Sequence, residues 1–484
     1  MPFPDLEEML SKSLHKVEFG FDRMGISCDG ATAFLSSAHL RPNCIGAAMT
    51  PFGWGRQRMK RFCTTGLCVP QKHYMVDISA RVARIMAMVE RGDYFVINRG
   101  RQYGKTTTLN ELAKALTGQG YQVIKLDFQE ISTEKFASEN TFCKAVLTLL
   151  KKAQASQAIK VPRNAAPMLT QFESEQSVEV DLTYLFNFFD AWFNATRKEV
   201  VFIIDEVDVA SDSQAFLDFL AILRARFLQH QADERAKTFQ SVILAGVSDI
   251  RHLKAKIRPE AQRKVNSPWN IAVPFDIPME LSAEGIRGML DDYESDHHTG
   301  MDTADMAQCI EDYTGGYPFL VSRICQLLDE SLVQQGMLPT PATAWTRHGV
   351  SVAVRELLME SNTLFQSLMG TLVNFPELKE SLRRVLFDGD WVPFNSVKES
   401  ILQMSQHGFI RRGHNGGITV TNRIFETLLY NYFLSEDGDG SSGASDPRVL
   451  ELFRAGQGLH GQLQLQPEQA GRSQEGLHRR QDIG

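Results

Sequence analysis

Gly104-Lys105-Thr106 is the part of this 484-residue chain whose residue types and spacing most plainly suit chemistry. A glycine lets backbone approach a polyanion, and amides at a helix start point partial positive charge at phosphate oxygens. A lysine neutralises the outer phosphates, and a threonine hydroxyl offers a ligand to magnesium. The preceding run Arg99-Gly100-Arg101-Gln102-Tyr103 is irregular. Arg99 stands where the usual phosphate-loop motif has its first glycine, and Gly100 comes one place late. The residues expected to hold a nucleotide here are Arg101, Gln102, Tyr103, Gly104, Lys105, Thr106 and Thr107, with Thr106 also a magnesium ligand. The second chemical feature is Val200-Val201-Phe202-Ile203-Ile204 running into Asp205-Glu206. Carboxylates at the end of so apolar a strand are costly to bury unless a cation or a phosphate-bound water receives them. Asp205 is therefore assigned to the magnesium shell, and Glu206 to polarising an attacking water, with Lys105 as its catalytic counterpart. The alternative is an acidic strand end that faces solvent.

These groups need elements to hold them. Tyr94–Asn98 (YFVIN) predicts a short buried strand, and Lys105 to Leu116 places Leu109, Leu112, Ala113 and Leu116 on one helical face. Further strands are predicted at Tyr121–Phe128, Glu199–Asp205, Gln240–Val247 and Asn270–Ile277, with helical patterns between most of them. Continuous apolar strands alternating with helices imply an α/β fold, a parallel sheet covered by helices on both faces. Tyr184, Phe186, Phe188, Phe189, Trp192 and Phe193 predict a helix that packs on that sheet rather than a ligand cage. Ser248 and Asp249 end one strand, as a sensor of the terminal phosphate or as a plain turn. Arg251, Lys254, Lys256 and Arg258 follow, either meeting a phosphate or partner or forming a solvated basic face.

Composition narrows the classes. Apolar residues at 43% supply ample core, and 51 Lys+Arg against 58 Asp+Glu leave a net charge of −7, so no global basic field draws the chain to nucleic acid or anionic lipid. The longest apolar stretches are too short to span a membrane, and no secretory signal opens the chain, which points to a soluble, cytoplasmic protein. Seven scattered cysteines suit reduced thiols. Cys63, Cys68 and His73 are the nearest approach to a metal cluster, but the four-residue gap and the missing fourth ligand favour unligated thiols. His297 and His298 read as solvated loop histidines. Residues 1–58 show no sustained period and are expected to be disordered, with Met59 as the expected natural start of translation. Residues 435–484 are expected to be a disordered tail, seven Gln and seven Gly lying in 441–484 alone.

From Met59 to about Leu434 the chain resembles bacterial AAA-like P-loop ATPases related to the signal-transducing STAND class. The likeness rests on HYMVDIS, YFVINRGRQYGKTTTL, VVFIIDEVD, FQSVILAGVSDIRHLK, NSPWNIA, YTGGYPFLVSRICQLLDE and NRIFETLLYNYF. The irregular RQYGKTT loop looks normal for that family. The resemblance implies a sheet in which an extra strand separates the phosphate-loop strand from the Asp-Glu strand, a place that YQVIKLDF suits, followed by a helical lid and a winged helix. It also makes Gly316-Tyr317-Pro318 the counterpart of an adenine-side element, with Pro318 at the nucleotide and Arg323 a phosphate sensor; a plain helix N-terminus explains the same residues. Relatives often continue into a PD-(D/E)xK nuclease-like domain. No Lys follows Lys398, so that constellation is absent from this chain.

The winged helix also has support in the residues: PELKESLRRVLFDG and SVKESILQMSQHG are helical, and Phe409–Arg412, His414 to Gly417 and Ile418–Thr421 read as a hairpin. Its recognition helix carries only Lys398, beside Glu399, while Arg411 and Arg412 sit on the wing. The predicted organisation is a P-loop core over 59–277, a helical lid over 278–370 and a winged helix over 371–434. The predicted function is a slow, magnesium-dependent ATPase acting as a conformational switch. The alternative is a non-hydrolysing nucleotide-bound scaffold, or a DNA-binding regulator that uses the winged helix. Arg224 and Arg226 are candidates for meeting a neighbouring subunit or protein partner.

Overall fold

A computed structural model describes residues 59–174, 179–247 and 269–439. The expectations for residues 1–58, for most of the tail, and for Ser248, Asp249, Arg251, Lys254, Lys256 and Arg258 fall outside the described residues.

Four parallel strands form the central sheet: β3 (Phe95–Asn98), β4 (Gln122–Asp127), β5 (Val200–Asp205) and β6 (Ser241–Gly246), in the order β3-β6-β5-β4. Two-residue strands β1 (Arg61–Phe62) and β2 (His73–Tyr74) precede them as a separate parallel pair. Alternation along each strand builds two cores, because successive side chains point to opposite faces. Phe95, Ile97, Val201, Ile203, Ile243 and Ala245 face helices α1 (Ser79–Glu90) and α2 (Lys105–Gly118). Val96, Ile124, Leu126, Phe202, Ile204, Val242 and Leu244 face α3 (Glu139–Ala155), α4 (Leu182–Ala195) and α5 (Gln214–Ala232). The aromatic run of α4 packs on β5 as expected, with the rings of Phe189 and Phe202 5.6 Å apart.

Two expectations are corrected. A strand does separate β3 from β5, but it is β6; β4, the YQVIKLDF strand, lies at the sheet edge beside β5. Asn270–Ile277 is not a strand: it contributes a single parallel bridge from Val273 to Phe95. Pro274 follows at once and has no N–H with which to extend the ladder.

Beyond the sheet, α6 (Ala283–His297), α7 (Thr303–Thr314), α8 (Pro318–Gln326) and α9 (Arg347–Met359) form a helical layer. It is followed by α10 (Thr363–Asn374), α11 (Pro376–Arg383), α12 (Glu399–Gln406), the antiparallel hairpin β7 (Ile410–Arg412) and β8 (Ile418–Val420), and α13 (Arg423–Asp439). The final helix runs five residues past the expected boundary at Leu434. One hydrophobic core is continuous through both sets of helices, from Met279 to Phe433, and it also includes Phe62, Tyr74 and, from the loop before α2, Tyr103. His297 is not a loop histidine: it ends α6, and its ring stacks on Tyr293 at 4.0 Å. Among the described residues no helix is long and apolar enough to cross a membrane.

Candidate functional site

The loop 99–104 connects the C-terminal end of β3 to the N-terminus of α2. Gly104 caps the helix in a left-handed conformation (φ 79°), and no side chain caps the first turn, so those amides remain available to an anion. A Cβ at Gly104 would meet nothing within 4 Å, which leaves the cradle open. Gln102 is also left-handed (φ 58°), a conformation that costs a residue with a side chain about 1 to 3 kcal/mol and gathers at ligand-holding turns. Lys105 is only 5% exposed, and its ammonium donates to the carbonyls of Arg99 and Gly100, both at 3.0 Å.

The acidic groups stand at the end of β5 and on the turn that follows it. Asp205, the last residue of β5, is 1% exposed and accepts a hydrogen bond from the Glu206 amide at 3.1 Å. Glu206 is forced into a left-handed conformation (φ 53°) as the chain leaves the sheet, and Asp208 follows on a short turn whose carboxylate accepts from the Val247 amide. Burial pushes the Lys105 ammonium below its ordinary range, while Glu206, Asp208 and Asp205 pull it back up. Burial raises the Glu206 carboxyl above the usual carboxylate value; Lys105 opposes this, and the neighbouring acids reinforce it. Lysine and carboxylates thus share one electrostatic site at the same end of the sheet.

These residues fit a magnesium-bound nucleotide. The helix start is uncapped, the cradle is open, and the buried Asn98 Oδ1 and Thr108 Oγ1, flanking the loop, have no hydrogen-bond partner among the described residues. The Thr106 hydroxyl and the Asp205 carboxylate are the donors suited to the metal. Thr107 turns elsewhere: its hydroxyl accepts from the Cys68 amide at 3.3 Å.

The remaining predicted residues divide. Arg101 is exposed, but its carbonyl accepts from the Tyr317 hydroxyl at 2.7 Å, which brings the segment before Pro318 against the phosphate loop; Pro318 opens α8. Tyr103 aims its side chain into the helical layer. It is 2% exposed, donates to Glu280 at 2.7 Å and meets the Tyr317 ring edge-on at 4.5 Å, so only its backbone faces a ligand. Arg323 is not free to sense phosphate as it stands, because its guanidinium forks onto Glu360 and donates to Gln326 at 2.7 Å. Arg226 pairs with Asp190 within the chain.

Sequence reasoning missed three neighbours. Asp208 joins the acidic group from two residues beyond Glu206. Glu280 anchors Tyr103 from 177 residues away. His407, at the end of α12, lies against the loop: a Cβ at Gly100 would come within 2.6 Å of its carbonyl oxygen, so only glycine permits that approach. Burial drives the His407 imidazole down to about 4, with Asp208 opposing and Lys105 and Arg101 reinforcing the shift. A histidine before a glycine carries no signal in the sequence; only the return of the C-terminal unit onto the loop reveals it.

A family model described as AAA-like domain matches residues 71–433. None of the curated proteins matches the chain. Among solved structures, the chain is similar to a Walker-type ATPase of Pyrococcus abyssi, with 13% identity, 76% of this chain and 99% of that one covered, and a TM-score of 0.48. It is also similar to the ORC1 protein of Aeropyrum pernix in complex with DNA, with 14% identity, 75% and 94% covered, and a TM-score of 0.33. A RuvB mutant of Thermotoga maritima shows 12% identity over 73% of this chain and 95% of that one, with a TM-score of 0.34.

Proposed function

The chain belongs to the AAA-like domain family, and from that premise we propose that it binds ATP with magnesium, hydrolyses it slowly in the cytoplasm, and uses the loss of the terminal phosphate as a conformational switch. The observation that carries this reading is the common site of Lys105, at an open, uncapped helix start, and Asp205-Glu206, at the end of a fully buried strand.

In the proposed reaction, Lys105 and the first-turn amides of α2 orient the terminal phosphate. Glu206 accepts the proton of an attacking water in line with the bond to the leaving diphosphate. Thr106 and Asp205 would hold magnesium, which would compensate charge on the phosphate oxygens. The raised Glu206 carboxyl is a stronger base toward an attacking water than an ordinary carboxylate. Arg323 joins the site only by exchanging Glu360 for phosphate, which would couple α8 to the state of the nucleotide.

The switch half of the proposal rests on contacts across the loop. Tyr103 and the carbonyl of Arg101 tie it to the helical layer, and Gly100 ties it to His407 of the C-terminal unit, which we read as a winged helix. Steady phosphate release decides between this and a nucleotide-bound scaffold. Glu206→Gln is expected to keep ATP affinity and to lower turnover by about 100- to 10,000-fold. Bound nucleotide with no release from the wild type, together with salt-sensitive duplex binding lost on changing the exposed Arg411 and Arg412 to Ser, would favour the scaffold instead.

A further inference from the structure

The pairing of β1 with β2 is parallel, in register Arg61 to His73 and Phe62 to Tyr74, so residues 63–72 must leave one strand and return to start the next in the same direction. Parallel neighbours usually need a connection of about a dozen residues or more. This one is shorter and has no apolar anchor: none of residues 63–72 is buried, and Leu67 is 37% exposed. What the loop does gather is chemistry. The ligand atoms of Cys63, Cys68 and His73 all lie within 4.8 Å of one another, with His73 buried at 7% exposure and both thiols free.

We propose that Cys63, Cys68 and His73 form a zinc site, with water in the fourth position, which staples this loop to the core. Two thiolates and an imidazole are donors that select zinc over magnesium. The Val69 amide donates to His73 Nδ1 at 2.9 Å and fixes the ring. Metal capture by either ring nitrogen gives up that hydrogen bond, a small loss beside zinc–thiolate bonding. The loop touches the candidate nucleotide site on two sides: the Cys68 amide donates to Thr107 on α2, and the Thr64 hydroxyl donates to Gln326, the partner of Arg323. A zinc staple would therefore hold the helix that carries Lys105 and the helix that carries Arg323 against one rigid loop.

The test uses the full chain, purified without chelator and with nucleotide removed, and measures bound metal by plasma mass spectrometry. The expected result is one zinc per chain, lost in Cys63→Ser, Cys68→Ser and His73→Asn and retained in Cys28→Ser and Cys44→Ser. Should the site variants fail to fold, cobalt added to the stripped wild type is expected to give the thiolate charge-transfer absorption of a tetrahedral centre. A wild type without zinc and without that absorption overturns the proposal, as does zinc retained after both site cysteines are changed, or a Cys63–Cys68 disulfide in freshly isolated protein. Lys105→Ala is expected to keep its zinc, so this result and the nucleotide result can fail separately.

Discussion

The central sheet and the C-terminal hairpin unit meet at the same loop but hold their residues by different means. Every residue of β5 and β6 is buried, so the carboxylates that follow β5 are positioned by packing on both faces. In the hairpin only Ile410 of β7 and Ile418 of β8 are buried, and the unit reaches the loop at two glycines, Gly100 under the His407 carbonyl and Gly408 under the Tyr103 ring. Groups that must not move belong on the first kind of scaffold, and parts that must engage and release belong on the second.

Three substitutions sharpen or break that contrast. Lys105→Ala strikes the rigid side and has the largest expected effect: a loss of ATP affinity of at least about 100-fold by titration calorimetry, equivalent to about 2.7 kcal/mol. Wild-type affinity in that variant would remove the phosphate loop from the site. Gly100→Val strikes the contact between the regions. The new Cβ meets the His407 carbonyl oxygen at 2.6 Å, and the expected destabilisation is about 1 to 3 kcal/mol in thermal melts, with faster proteolysis after α11. An unchanged melting curve would mean that the hairpin unit does not rest on the loop.

The third test is in pH. His407 is held neutral in the folded protein, with its value lowered from 6.5 to about 4. The unfolded chain therefore binds more protons between those values, and stability is full above pH 6.5 and declines as pH falls toward 4. His407→Gln is expected to flatten that decline in melts taken across the window. A wild-type slope that persists in the variant would place the acid sensitivity elsewhere.

Much of the sheet side was legible because its signals are local. Continuous apolar runs mark β3 to β6 to within a residue or two of their ends, and the strand-loop-helix order around Lys105 needs only periodicity and glycine chemistry. Strand order was misread: β4 carries Gln122, Lys125 and Asp127 and is only partly buried, as suits an edge strand, whereas β6 has no charged residue and is buried throughout between β3 and β5. The Asn270–Ile277 run misled because its apolar residues outweighed a proline that stops the ladder. Cys63, Cys68 and His73 looked unpromising by spacing alone, since the parallel pairing that gathers them comes from two-residue strands too short to leave a pattern. Tyr103 read as a loop residue, and its partner Glu280 became apparent only in three dimensions.

Tyr103 has a mechanical consequence. Its backbone lies between two left-handed residues of the phosphate loop, and its ring is planted among the helices that follow the sheet. The residue is thereby fixed at both ends, by the loop backbone on one side and by the buried ring and its bond to Glu280 on the other. Loss of the Glu280 carboxylate would leave the Tyr103 hydroxyl without that partner inside the helical layer, so the loop would lose a distant anchor that its own residues cannot replace.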